Sequence, residues 1–129
     1  MQSLNYYNII SEIDRIFPEF ANVSNLKGLT EGLPGVHLGF FISYAREYWQ
    51  TERLQTQLAE FVDVLRESKD YAVKVTFQDF ALDFQLHFRE HEINIDAFLD
   101  LLKVETRSDF TEALNFWDTA NKINKNDGS

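Results

Sequence analysis

Apolar residues recur every three or four positions along most of this 129-residue chain, which is the spacing of one face of an α-helix. The clearest case is segment 71–89, which is apolar on more than one face and is therefore predicted to be a central helix packed by several neighbours. Residues 72–77 also alternate as a strand would, but no other segment offers a pairing strand. We predict an all-α fold, a compact bundle of about five to six helices.

Caps and breaks divide the pattern into segments. Pro18 limits the first helix, Gly32 to Gly35 form the strongest break, and residues 68–70 are predicted to form a turn. A short helical turn within 19–27 remains open. The predicted helices begin, in chain order, near Ser3 or Asn5, at Val36, at Thr51, at Tyr71, at Asn94 or Asp96, and at Ser108. We expect a single helical domain over residues 1–120 and a polar, disordered tail over 121–129.

The composition is sufficient for a hydrophobic core without disulfide bonds. Hydrophobic residues make up 44% of the chain and aromatic residues 15%, which is enough for one domain of this length. The chain has no Cys, so disulfides, thiol catalysis and Cys-ligated metal sites are excluded, and a reducing compartment fits. Because the N-terminus lacks a secretory pattern and no apolar stretch approaches about 20 residues, we predict a soluble, cytoplasmic protein.

Charge is the strongest functional signal. The chain has 21 acidic and 12 basic residues and a net charge of −9, which disfavours direct binding to nucleic acid or to an anionic membrane. Segment 79–118 alone has ten carboxylates and three basic residues, a net charge of −7. This concentration marks a surface, and its first six acids are the candidate partner-binding residues: Asp79, Asp83, Glu90, Glu92, Asp96 and Asp100.

One metal motif occurs. Residues 87–91 read His-Phe-Arg-Glu-His, which matches the H-x-x-E-H pattern of a zinc protease family and would place His87 and His91 one helical turn apart. Asp83, one turn earlier, could add an oxygen ligand. The proteases with this motif are several times larger and take a further ligand from a separate segment, so we interpret the two His as a polar stripe near a helix end, where His suits the dipole.

Other catalytic patterns are absent from the sequence. The Gly residues stand in no phosphate-binding order, and no Ser lies in G-x-S-x-G. Carboxylate pairs such as Asp79 with Asp83 and Asp109 with Glu112 are too abundant to designate an acid–base pair, and we interpret them as a charged exterior. We therefore predict no enzyme, no catalytic residues, no metal and no cofactor.

Aromatic residues cluster in two places, Tyr44, Tyr48 and Trp49 in one and Phe116 and Trp117 in the other. Large aromatic side chains dominate the hot spots of protein interfaces, but rings at helical spacing are more often buried in the core. We interpret them mainly as core or boundary packing.

A small acidic helical chain without Cys or a catalytic signature resembles the immunity proteins that bacteria make against polymorphic toxins, including those of contact-dependent growth inhibition. Segments 33–38 and 75–77 are similar to the helix entries of small bacterial domains of this kind. The resemblance implies an inhibitor of a cognate toxin domain. Many such toxins are nucleases with basic clefts, so it also implies an acidic surface that mimics the phosphate backbone.

The leading hypothesis is therefore a protein-binding inhibitor whose six candidate acids dock on a basic toxin domain. The alternative is a helical adaptor or regulatory subunit that self-associates through an aromatic patch. A third, a metal-dependent hydrolase built on His87, Glu90 and His91, predicts bound zinc.

Overall fold

The structure is a computed structural model that describes residues 4–24, 29–51 and 53–127. These residues contain seven helices and no strand, which confirms the all-α prediction. The seventh helix arises because Pro18 starts a helix of its own instead of only ending the one before. In chain order the helices are α1 (Ile9–Ile16), α2 (Pro18–Ser24), α3 (Pro34–Glu47), α4 (Leu54–Glu67), α5 (Tyr71–Glu90), α6 (Asp96–Leu99) and α7 (Val104–Asp127).

Helix α5 is the centre of the bundle and packs against α3, α4 and α7, as its pattern predicts. Its N-cap is Asp70, whose carboxylate accepts hydrogen bonds from the backbone N–H of Ala72 at 2.9 Å and of Tyr6 at 3.0 Å. Ser68 also donates to the carbonyl of Leu4 at 2.7 Å. The predicted turn at 68–70 therefore starts α5 and ties the N-terminal segment to it.

The core is aromatic. Phe84 is fully buried and lies in contact with the rings of its neighbours on four helices or loops. The stack with Phe88 is the closest, with ring centroids 4.3 Å apart. The other rings against Phe84 are Trp49, Phe80, Phe98 and Phe110.

Five predicted boundaries are wrong. Helix α1 begins at Ile9 after the N-cap Asn8, not near Ser3 or Asn5, and α3 begins at Pro34, not at Val36, because proline suits the first position of a helix. Helix α4 begins at Leu54 after Arg53, whose φ is 75°, so Thr51 lies in the preceding turn and does not cap it. Helix α7 begins at Val104, and Ser108 lies inside it. The physical reason is a cap from another helix, because Asp63 of α4 accepts from the backbone N–H of Lys103 at 3.1 Å. The segment near Ile95 forms only the single turn α6.

The remaining predictions concern the start of α1, the turn at 19–27 and the C-terminal tail. Asn5 accepts from the N–H groups of Tyr7 and Asn8 just before α1, while Ser3 lies outside the described residues. Of the open turn at 19–27, residues 25–27 lie outside them as well. Helix α7 continues through 121–127, where the sequence predicts the disordered tail, and 128–129 are again outside the described residues.

Candidate protein-binding face

Three of the six candidate acids lie on one face of α5. Asp79, Asp83 and Glu90 are spaced by four and seven residues, which places them in one row along a helix. All three are exposed, and none forms an ion pair with a described residue. We call these three residues the acidic row.

The acidic row is electrostatically unfavourable in the free protein. Partial burial raises the pKa of Asp83 above its ordinary value, and the neighbouring Asp79 carboxylate raises it further. Two like charges one helical turn apart destabilise a helix by about 0.2–0.5 kcal/mol. The charge is thus retained at a cost to the free protein, which is typical of a site built for a partner.

Apolar side chains run along α5 beside the acidic row. Tyr71 is 79% exposed, Val75 is exposed, and Leu82 and Leu86 are half-buried, at spacings of four and seven residues. We call these four residues the apolar seam. An apolar strip bordered by charge is the arrangement of a protein interface, with anchors at the centre and polar groups at the rim.

A groove of about 870 Å³ lies between α5 and α7 and adjoins the apolar seam at Leu82. Its apolar lining includes Phe77, Ala113 and Phe116, and the Phe116 ring is 77% exposed. The carboxylates of Asp79 and Glu112 also line it, as do several cations near the start of α5. The groove can receive an apolar side chain of a partner next to a positive charge that meets Asp79.

The other three candidate acids do not join the acidic row. Glu92 lies in the turn after α5, with φ 57°, and Asp96 is the first residue of α6. Asp100 accepts from Arg107 at 2.8 Å, so its charge is already paired. The prediction took all six acids from one acidic stretch of sequence, and helical spacing brings together only the three that lie within α5.

The aromatic clusters divide between core and surface. Trp49 is buried against Phe88, with ring centroids 4.7 Å apart, which agrees with the core interpretation. Trp117 lies under the guanidinium of Arg89 at 5.9 Å, and Arg89 also binds Asp118. Phe116 is the exception because it stands in solvent beside the groove.

The H-x-x-E-H segment has no free ligand pair. Arg46 donates from Nε to the Nε2 atom of His87 at 2.9 Å, so that lone pair is engaged and a cation lies beside it. Burial lowers the pKa of His87, and the adjacent His91 and Arg46 lower it further. Across the part of the chain that the structure describes, no three His, Asp or Glu residues are arranged to hold a metal.

A buried hydroxyl–imidazole–carboxylate chain was not predicted from the sequence. Thr30 lies 2.7 Å from Nδ1 of His37, and the Nε2 atom of His37 lies 2.8 Å from Asp14. A nucleophile must reach a substrate, whereas Thr30 is only 2% exposed. This hydrogen-bonded series of three side chains therefore has a structural role and connects the loop before α3 to α1. No local motif joins these residues, since 16 positions separate Asp14 from Thr30.

Replacing Asp83 with asparagine is expected to stabilise the free protein at pH 7 by a few tenths of a kcal/mol, about the cost of an i,i+4 like-charge pair. A carboxyl group with a raised folded-state pKa costs stability once ionised, so the penalty grows as the pH rises through that pKa and is absent well below the ordinary value. Urea unfolding of both proteins at pH 7 and in acid measures the difference. The exposed Glu60 on α4 provides the control. An equal gain for Glu60→Gln, or a gain that persists in acid, would contradict this cause.

None of the helices in the described ranges is long and apolar enough to cross a membrane.

Comparisons of the chain with protein-family models, with curated proteins and with solved structures found no match.

Proposed function

We propose that this protein is an inhibitor that binds a basic protein through α5, and specifically an immunity protein that neutralises a cognate toxin domain. The observation that carries the proposal is the uncompensated acidic row beside the exposed apolar seam on the same helix. A charged exterior that served solubility alone would not require the two features to lie side by side.

The acidic row and the apolar seam contribute to binding in different ways. The acidic row attracts a basic surface over a distance of about one Debye length, which is about 8 Å at physiological salt, and accelerates the encounter. The apolar seam and the groove beside Phe116 then supply the dehydrated contacts that slow dissociation. A basic nuclease cleft fits this division, because it already holds the positive charges that bind phosphate.

Binding would also relieve the repulsion that the free protein carries. A lysine or arginine beside Asp83 lowers the pKa of that carboxyl, which burial and Asp79 raise in the free protein. Complex formation is therefore expected to weaken as acid protonates Asp83.

The candidate toxin for the test is found from the genome in which this chain is encoded. The C-terminal domain of the protein encoded immediately upstream is produced with and without this chain, and both growth of the host and binding of the purified proteins are measured. We expect the domain to arrest growth alone, to be harmless with this chain present, and to bind it more weakly as salt is raised. A domain that binds with no salt dependence, or that stays toxic in the presence of this chain, would contradict the proposal.

A further inference from the structure

Helix α3 exposes a second apolar surface that the proposed function does not use. Leu33, Val36 and Phe40 are each 49% exposed, Tyr44 is half-buried and Tyr48 is 38% exposed. Their spacings of three and four residues place them along one side of the helix. We call these five residues the α3 stripe.

Tyr44 is the member of the α3 stripe that packs against the core, with its ring centroid 5.3 Å from that of Phe20, whereas Leu33, Val36, Phe40 and Tyr48 are exposed. The opposite side of α3 provides the core contacts, through buried residues such as Leu38, Phe41 and Ala45. Phe41, for instance, packs against Phe17 of the α1–α2 junction with ring centroids 4.8 Å apart. A helix of this kind with an apolar outer side as well is typical of a surface that another molecule covers.

Gly39 leaves a flat place beside the stripe, one helical turn after Val36. Glycine is a poor helix former, yet a side chain here would meet nothing within 4 Å. The fold of the single chain therefore gives no reason for glycine at this position. A helix from another molecule could approach the backbone closely at this point.

The distribution of charge favours a second copy of this chain as the molecule that covers the α3 stripe. From Leu33 to Ala45 the sequence has no Asp, Glu, Lys or Arg, and its one His, His37, is buried. On a protein of net charge −9, two copies can approach each other most easily through an uncharged surface. A basic partner would instead be drawn to the acidic row.

The exposed area is sufficient for a weak dimer. An aromatic side chain has roughly 150–250 Å² of surface, so Phe40 and Tyr48 together expose on the order of 180 Å², and the aliphatic residues and rim raise the stripe to several hundred Å². Interfaces at the small end of the range bury less than about 1,200 Å² over both partners and are transient. A weak, concentration-dependent dimer is consistent with this size.

We infer that two copies associate through the α3 stripe as a two-fold, antiparallel pair of α3 helices. A two-fold interface places the same surface of both copies in contact, and the stripe from Leu33 to Tyr48 has its midpoint at Phe40. Phe40 of one copy therefore lies near Phe40 of the other, next to the space left by Gly39. Glu31 and Glu47 are exposed near opposite ends of the stripe, so the dimer tightens as salt rises.

Sedimentation of the purified protein alone tests this inference. We expect wild type to sediment as a concentration-dependent dimer, and Phe40→Glu and Phe40→Lys each to weaken it at least tenfold, because each places like charges across the axis. An equimolar mixture of the two variants is expected to restore the dimer, since glutamate then meets lysine. Circular dichroism confirms that the variants are folded, and Phe116→Glu is the control at a ring outside the stripe that is 77% exposed, against 49% for Phe40.

A wild-type protein that stays monomeric at high concentration would overturn the inference, as would undiminished dimers of both Phe40 variants. A mixture that stays monomeric would overturn the two-fold pairing at Phe40. The inference is independent of the proposed function, and salt separates them: the dimer strengthens with salt, whereas the toxin complex weakens.

Discussion

Replacing Phe84 with alanine is expected to lower the free energy of unfolding by about 3–5 kcal/mol, the range for a large aromatic residue in a packed core. Phe84 has no exposed surface and lies where α5 meets its neighbours. Its removal leaves a cavity that a close-packed interior fills only in part. A domain of this size is stable by roughly 5–15 kcal/mol, so the variant retains little stability at 37 °C. The rings that lose contacts are Trp49, Phe80, Phe88, Phe98 and Phe110.

Urea unfolding followed by circular dichroism measures this loss. Phe116→Ala is the matched control, because it removes the same side chain from a position that is 77% exposed, and it is expected to change stability by less than about 0.5 kcal/mol. A loss below about 1 kcal/mol for Phe84→Ala, or equal losses for both variants, would show that the bundle is not organised around this ring.

If the proposed function is correct, reversing the charge of the acidic row is expected to weaken binding of the proposed toxin domain about a thousandfold. The variant is Asp79→Lys, Asp83→Lys and Glu90→Lys in one chain. Close charge pairs across a protein interface contribute at least about 1.5 kcal/mol each, so three of them give about 4.5 kcal/mol, or slightly more than three powers of ten in Kd. Isothermal titration calorimetry at physiological salt provides the measurement.

The control for this variant has the same net charge. Glu19, Glu60 and Glu105 are exposed acids outside α5, and converting all three to lysine also changes the net charge from −9 to −3. The control loses only long-range attraction, which salt screens, so we expect a change within about tenfold. If both variants bind equally weakly, total charge and not the acidic row determines binding.

Periodicity predicted α5 to within one residue at its C-terminal end, because its start and its apolar pattern are both local signals. Asp70 follows a turn and caps the helix through its own side chain. The start of α7 could not be predicted in this way. Its cap is Asp63, 40 residues earlier in the chain, and only the packing of α4 brings that carboxylate to Lys103.

The same distinction applies to the candidate site. The row formed by Asp79, Asp83 and Glu90 follows from helical spacing alone, so it was predictable once α5 was predicted. The pairing of Asp100 with Arg107 depends on the turn between α6 and α7, which has no periodic signal. The acidic prediction was therefore best where one regular helix holds all the residues.

Exposure of aromatic residues was the least predictable property. Trp49 and Phe116 both stand at helical spacing beside another aromatic residue, yet Trp49 is buried and Phe116 is exposed. The difference is a tertiary property, because Trp49 follows the end of α3 and packs against Phe88 of α5, whereas Phe116 lies within α7 on a side that the bundle leaves exposed. The hydrogen-bonded series from Thr30 through His37 to Asp14 was missed for the same reason.

Methyl NMR spectra of this protein titrated with the proposed toxin domain test the central claim most directly. If α5 is the binding face, the methyl signals of Val75, Leu82 and Leu86 shift or broaden on binding, while those of the exposed Leu101 and Val104 outside α5 stay in place. Unchanged signals along the apolar seam, with shifts at Leu101 and Val104 in a stable complex, would contradict the claim.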